Sequence, residues 1–337
     1  MLRKPLLVGL LVSALLPGFL GFATRPASSA QEVVPFATDP LYLPLVMRNA
    51  GGPTLGGCSM FPPDNPWNTD ISAYPVHPNS AAFIADINMT GNKYLHADFG
   101  SNPDYGIPYV IVPGFQPKVP INFTAYGDES DPGPYPVPPN APIEGGAASG
   151  GDRHVLVLNS GECKLYELYR AFYVGPPGVD AWDADSGAVW DLNSNALRPE
   201  GWTSADAAGL PILPGLARYD EAASGAIKHA LRFTVWRTQR GYIHPATHFA
   251  GDTLSAPPMG LRLRLKASYD ISGYAGQARV ILEALKRYGM IVADNGSSWF
   301  ISGATDPRWD DNDLDQLKQV PGSAFEAVYT GDIITPP

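Results

Sequence analysis

Apolar and basic residues alternate along residues 261–266 (LRLRLK), so a strand there turns its leucines to one face and Arg262, Arg264 and Lys266 to the other. Residues 154–158 (HVLVL) are apolar at both parities, as expected of a strand buried on both faces. With residues 163–173 (CKLYELYRAFY) after a turn at Gly161, they predict a hairpin. Shorter strand patterns fall at 109–112, 119–124, 187–192, 229–238, 242–244, 290–293 and 299–301, and Asn295-Gly296 predicts a hairpin turn between the last two. One long helical period stands out. Ala275, Ala278, Ile281, Leu282 and Leu285 share a face over 274–288, with Ser272 as N-cap and Gly289 as stop. Shorter helical turns are expected at 81–87 behind Ser80, around 204–208 and at 217–224.

The connections are rich in turn formers. Residues 131–142 (DPGPYPVPPNAP) hold six prolines and read as an extended surface loop, and 145–152 (GGAASGGD) as a flexible one. An acidic tail from Asp306 is expected to wrap the surface. Many short strands with one helix predict a mainly β fold: an antiparallel β-sandwich or jelly roll with one long helix near the C-terminus. An α/β sheet would need repeated helices between its strands.

The ends set the compartment. Residues 1–30 combine Arg3 and Lys4, a broken apolar run and a small-residue stretch at Ser28-Ser29-Ala30, the pattern of an export signal. Residues 31–57 read as a tether and 58–337 as a single globular β-rich domain, secreted or held at the cell surface. No later run is apolar enough to span a bilayer. In that compartment Cys58 and Cys163, the only cysteines, are expected to pair as a disulfide. Without residues 1–30 the chain keeps 20 basic and 33 acidic residues, a formal charge of −13. That balance argues against a nucleic-acid partner, whose binding needs clustered Lys and Arg.

Strand alternation selects the candidate chemistry. His229 shares a face with Leu231, Phe233 and Val235; Glu167 with Leu165 and Tyr169; His154 with Leu156 and Leu158. Inward imidazoles and carboxyls have shifted pKa values suited to acid–base work. With Glu221, which lies just before His229, these three form the candidate catalytic set, although each is equally explained as a hydrogen-bonded core group. Arg262 and Arg264 are candidates for binding a carboxylate-bearing substrate, and Trp202 and Trp236 for stacking on sugar rings. His244 and His248 have a metal-ligand spacing, but Pro245 blocks helical geometry between them, and no metal ligand is assigned. Asp180, Asp183 and Asp185 offer a structural calcium as the one cofactor option. No Gly-x-Ser-x-Gly is present, and Asp294-Asn295-Gly296 reads as a turn rather than as a catalytic aspartate.

The blocks NPWNTDI (65–71), GDRHVLVL (151–158), KLYELY (164–169), GAIKHAL (225–231) and PPMGLRLRL (257–265), followed by the YG…DNG segment at 288–296, resemble a group of exported bacterial proteins that carry them in this order. The resemblance spans about residues 58–308 and implies one extracellular unit. The group has no established activity, so it transfers no catalytic residue.

The expectation is therefore a secreted carbohydrate-active protein with an extracellular glycan as partner. As a hydrolase it would pair Glu167 with Glu221. As a lyase it would use His229 or His154 as base beside an arginine that neutralises a uronate. The alternatives are a non-catalytic glycan-binding or cell-surface module, and a metal-dependent hydrolase around His244 and His248. Oligomeric state has no signature in the sequence.

Overall fold

The computed structural model describes residues 52–175 and 179–336; the expected export signal and most of the tether lie outside them. The described residues fall within one compact unit. Among the described residues strands outweigh helices, and fifteen of them form four sheets. A two-stranded ribbon, β1 (Thr54–Leu55) and β2 (Cys58–Ser59), comes first. There follow β3 (His96–Ala97), β4 (Tyr109–Val112), β5 (Ile121–Phe123), β6 (Val155–Asn159), β7 (Lys164–Tyr169), β8 (Phe172–Tyr173), β9 (Trp182–Ala184) and β10 (Ser186–Asp191). The later strands are β11 (Leu231–Val235), β12 (Arg262–Leu265), β13 (Met290–Asn295), β14 (Phe300–Ile301) and β15 (Phe325–Val328). Four α-helices accompany them: α1 (Ser80–Ile87), α2 (Tyr219–Ala223), α3 (Gly276–Arg287) and α4 (Asp311–Asp315).

Strand β6 is central in a four-stranded sheet of order β10-β7-β6-β4, and its two parities go to different cores. Leu156 and Leu158 join Leu165, Ala188 and Trp190 in the large core, while Val155 and Val157 join Tyr166, Leu168 and Trp182 in a smaller one. The proline-rich stretch at 131–142 helps to close that second core. Tyr135 and Val137 are fully buried there, so the stretch covers the outer face of the sheet instead of running free over the surface. Prolines suit this role, because a covering segment needs no ladder hydrogen bonds. The glycine loop at 145–152 is likewise held down: Arg153 donates from Nη1 to the Ala147 and Ser149 carbonyls at 2.9 and 2.8 Å.

The six-stranded sheet runs β15-β12-β13-β11-β14-β3, and α3 packs Ala278, Ile281, Leu282 and Leu285 into the large core. Helix α3 is preceded by Ala275 as its N-cap residue instead of Ser272, and it is followed by three further strands, β13, β14 and β15, and by helix α4. The acidic tail supplies β15, which pairs with β12, so it is built into the sheet.

Two pairings differ from the expectation. Four of the eleven strand pairs are parallel, β4/β6, β5/β9, β11/β13 and β14/β3, so the sheets are mixed and not antiparallel throughout. Nor do β13 and β14 form a hairpin around Asn295-Gly296, because β11 lies between them, parallel to β13 and antiparallel to β14. Alternation along one strand reports which side chains share a face; it carries no information about which strand lies beside it.

The disulfide Cys58–Cys163 closes a loop across 105 residues and ties β2 to the start of β7. By the chain-entropy relation a loop of that length stabilises the folded state by about 4–5 kcal/mol. Guanidinium unfolding of the Cys58→Ser/Cys163→Ser double variant is expected to show a loss of that order; an unchanged midpoint would mean that the cross-link constrains nothing the rest of the fold leaves free.

Candidate functional site

The polar centre of the molecule lies at the carboxyl ends of β11 and β13. In β11, Leu231, Phe233 and Val235 point into the core, so Arg232 and Thr234 take the other face. Arg232 is paired with Ile291 across the ladder, and Phe233 with Val292. Unbroken alternation would then send Asp294 to the face opposite Arg232. A register shift intervenes: Thr234 pairs with Asp294 and leaves Ala293 as an extra residue. This bulge moves Asp294 onto the arginine's side of the sheet, a re-aiming that bulges commonly perform beside functional sites.

Arg232 is buried, and every one of its donor nitrogens is engaged. Nε and Nη2 hold Asp206 in a two-pronged pair at 2.8 and 2.7 Å, Nη1 donates to Ser302 Oγ at 2.7 Å, and Nη2 reaches Asp294 at 3.3 Å. Asp206 is only 1% exposed. It arrives on the loop that follows Trp202, and several side chains pin that loop. Ser186 Oγ donates to the Ser204 carbonyl, Arg198 Nε to the Thr203 carbonyl, and Ser204 Oγ accepts from the Asp206 amide. From β7, Glu167 accepts the amides of Ile212 and Leu213 at 3.0 and 2.9 Å and the indole N–H of Trp190 at 3.1 Å.

His154 borders the same space. Its Nδ1 lies 2.6 Å from Glu144 and its Nε2 lies 3.0 Å from the Ala205 carbonyl. Both ring nitrogens face oxygen acceptors, so the geometry suits the doubly protonated ring. Burial opposes that charge, but the Glu144 carboxylate outweighs it and lifts the imidazole to about 9. Burial would raise Glu144 in turn, and the charge on His154 lowers it instead. Asp294 is the counterpart. Burial first, then the neighbouring Asp206 charge, push its carboxyl up to about 7, with Arg232 pulling only partly against them. At the mouth, partial desolvation and the Glu144 charge also raise Asp98.

These groups line a cavity of about 190 Å³ that includes Asp98, Glu144, His154, Arg232 and Asp294. Asn295 lines it too, and its buried side-chain oxygen has no hydrogen-bond partner. The chemistry available is that of paired carboxyls. One is protonated near neutrality within a fixed network, and a second, Asp98, stands in the same cavity.

The three residues singled out by alternation, with Glu221, occupy three separate places. His154 belongs to this cleft, but with both nitrogens engaged it has no free lone pair for proton abstraction. Glu167 is fully buried beneath the loop, where burial pushes it up to about 7 against its three N–H donors, and it holds backbone in place. His229 and Glu221 do come together, at 3.1 Å, with Arg218 on the other carboxylate oxygen at 2.5 Å. His229 lines neither this cleft nor the cavity beside Glu221, and its second nitrogen faces the Ala230 carbonyl.

The expected binding residues lie elsewhere. Arg262 is buried and donates to the carbonyls of Tyr288, Pro66 and Thr69. Arg264 pairs with Glu326 and the carbonyls of Ile71, Ser72 and Tyr74, so the alternating basic face of β12 is closed over by the 66–74 segment. Trp236 is half-buried and donates to the Asp86 carbonyl at 3.0 Å; Trp202 is half-buried beside Arg198 and is not among the residues lining the cleft. His244 pairs with Glu200 at 2.7 Å, whereas His248 bonds the Ala207 carbonyl. Among the described residues no three His, Cys, Asp or Glu side chains gather in a metal-binding group. Asp180, Asp183 and Asp185 each accept from a protein donor, Tyr173, Asn122 and Thr124 respectively.

Arg232, Asp206, Glu144 and Asp98 drew no attention in the sequence, and Asp294 was read as part of a turn. One signal was there: Arg232 and Thr234 are polar residues on the second face of a strand whose first face is wholly apolar. Compared with known protein families, curated proteins and solved structures, the chain finds no match in any of the three.

Two predictions follow from this network. Arg232→Met leaves Asp206 buried and uncompensated, and is expected to cost about 3–5 kcal/mol in denaturant unfolding; a cost under 1 kcal/mol would show that the pair is not needed to hold the loop. The His154 charge, with its folded pKa near 9 above the ordinary 6.5, stabilises fully below about pH 6.5 and loses that contribution as pH rises through 9. Stability is expected to fall over that window by on the order of 3 kcal/mol, and His154→Gln to flatten the slope; equal slopes in both proteins would rule out the imidazolium.

Proposed function

We propose that the protein is a secreted glycan hydrolase whose paired carboxyls are Asp294 and Asp98. The reading rests above all on one observation: a carboxyl held near neutral pKa, aimed by a bulge into a cavity that contains a second carboxyl. In this reading Asp294 gives its proton to the leaving glycosidic oxygen as the C–O bond breaks, while the ionised Asp98 takes a proton from the water that attacks the anomeric carbon. Arg232 and Asp206 fix the acid in place, and the His154–Glu144 pair sets the local field.

A lyase acting on uronates is less well supported. It needs a cation free to neutralise the substrate carboxylate, and Arg232 is committed to Asp206, Ser302 and Asp294. Secretion fits the Cys58–Cys163 disulfide, and among the described residues no helix is long and apolar enough to cross a membrane. We read the two main mixed sheets as a sandwich-like frame that carries the cleft between its loops.

Assays of the mature protein on a polysaccharide panel, reading new reducing ends alongside absorbance of unsaturated uronates, test the reading. Reducing ends without unsaturated products are expected, with the rate falling as pH rises through about 7, where Asp294 loses its proton. Asp294→Asn is expected to lower turnover roughly 10²–10⁴-fold with the fold intact. Full activity in that variant would remove Asp294 from the chemistry; binding without turnover on every glycan would favour a non-catalytic module.

A further inference from the structure

The cleft does not stand alone. It shares Asp98 and Phe300 with a neighbouring cavity of about 420 Å³, and it shares Asp152, Asp294 and Asn295 with another of about 300 Å³. The proposed acid therefore lies where two of these spaces meet, and its proposed partner Asp98 where the cleft meets the third. Each outer space carries an exposed aromatic ring. Tyr105, 57% exposed, lines the first, where His96 also stacks on Phe300 at 4.8 Å; Tyr126, 47% exposed, lines the second. Flat rings flanking a cleft suit the apolar faces of successive sugar units.

The charge along the walls is net negative: Lys318, Arg232 and His154 each pair with a wall carboxylate, Asp315, Asp206 and Glu144 respectively, which leaves Asp98, Asp152 and Asp311 without a cationic partner among those residues. A cleft lined by carboxylates focuses a negative potential, which repels a uronate and attracts a protonated amine.

We propose that the three cavities act as one groove, across which lies a linear glycan with amine-bearing sugar units. Placing the bond to be cleaved at Asp294 rests on the hydrolase reading, while binding along the groove does not. A chain lying across the groove would be cut internally, so long products precede short ones.

Two measurements test this. Calorimetric titration of the Asp294→Asn protein with glucosamine dimer, glucosamine hexamer and galacturonate hexamer reads the groove directly. The glucosamine hexamer is expected to bind roughly tenfold or more tighter than the dimer, since added units reach a ring at each end, and to weaken in high salt. Galacturonate is expected not to bind. Tyr105→Ala and Tyr126→Ala, both at exposed rings, should each weaken hexamer binding about fivefold. A hexamer no tighter than the dimer, galacturonate binding as well as glucosamine, or indifference to both tyrosine variants would overturn the groove.

The second measurement uses the wild-type protein and does not depend on the Asn variant folding: product lengths from partly deacetylated chitosan over time. Intermediate lengths appearing first would support the groove, and release only from chain ends would overturn it while leaving the hydrolase reading standing. Length-dependent binding with no products at all would do the reverse.

Discussion

The pair between Arg232 and Asp206 is the constraint around which the centre of this molecule is arranged. Both residues are buried, on a strand and on a loop that would otherwise have little reason to meet. A guanidinium in that position needs several acceptors, and it finds them in Asp206, Ser302 and Asp294. Breaking one arm would leave a charge stranded in a low-dielectric interior, which is far more costly than the pair itself is stabilising. The surrounding architecture serves that arrangement. Glu167 and Ser186 fix the loop that brings Asp206, while the bulge at Ala293 brings Asp294.

The same pair sets the ionisation of its neighbours. With Arg232 largely matched by Asp206, the second carboxyl, Asp294, receives only part of the arginine's field, while desolvation of its half-buried side chain and the Asp206 charge push it up to about 7. His154 and Glu144 settle the other way, as a charged pair. One cavity thus holds Asp294, biased toward its neutral form, and Glu144, biased toward its ionised form, while Asp98, the partner proposed for Asp294, is itself raised by desolvation and by the Glu144 charge.

Much of the frame was legible from residue patterns. The double-sided burial of Val155–Asn159, the hairpin into Lys164–Tyr169 and the apolar stripe of the helix Gly276–Arg287 follow directly from periodicity. The disulfide was expected once residues 1–30 read as an export signal, and Cys58 and Cys163 are indeed bonded. The site itself was only partly legible. Alternation correctly turned His154 and Glu167 inward, yet it could not show that Ala205 O and Glu144 would take both nitrogens of the first, or that the amides of Ile212 and Leu213 would take the second. Asp294 reads from its sequence as part of a turn, because the extra ladder residue that brings it beside Arg232 leaves no mark in a single sequence. Alternation also offered Arg262 and Arg264 to a ligand, when backbone carbonyls more than 180 residues away in sequence already hold them. Those failures share one cause: a side chain's face can be read locally, while the groups it meets come from elsewhere in the chain.

The central claim is that Asp294 keeps its proton to near neutrality within the folded protein. Carboxyl-carbon NMR of the ¹³C-labelled aspartates, with Asp294 assigned by the loss of its signal in Asp294→Asn, measures this without any substrate. A titration midpoint near 7 is the predicted result. A midpoint at or below the ordinary aspartate range of about 4 would mean that Arg232 dominates and that the cleft holds no acid able to act at neutral pH.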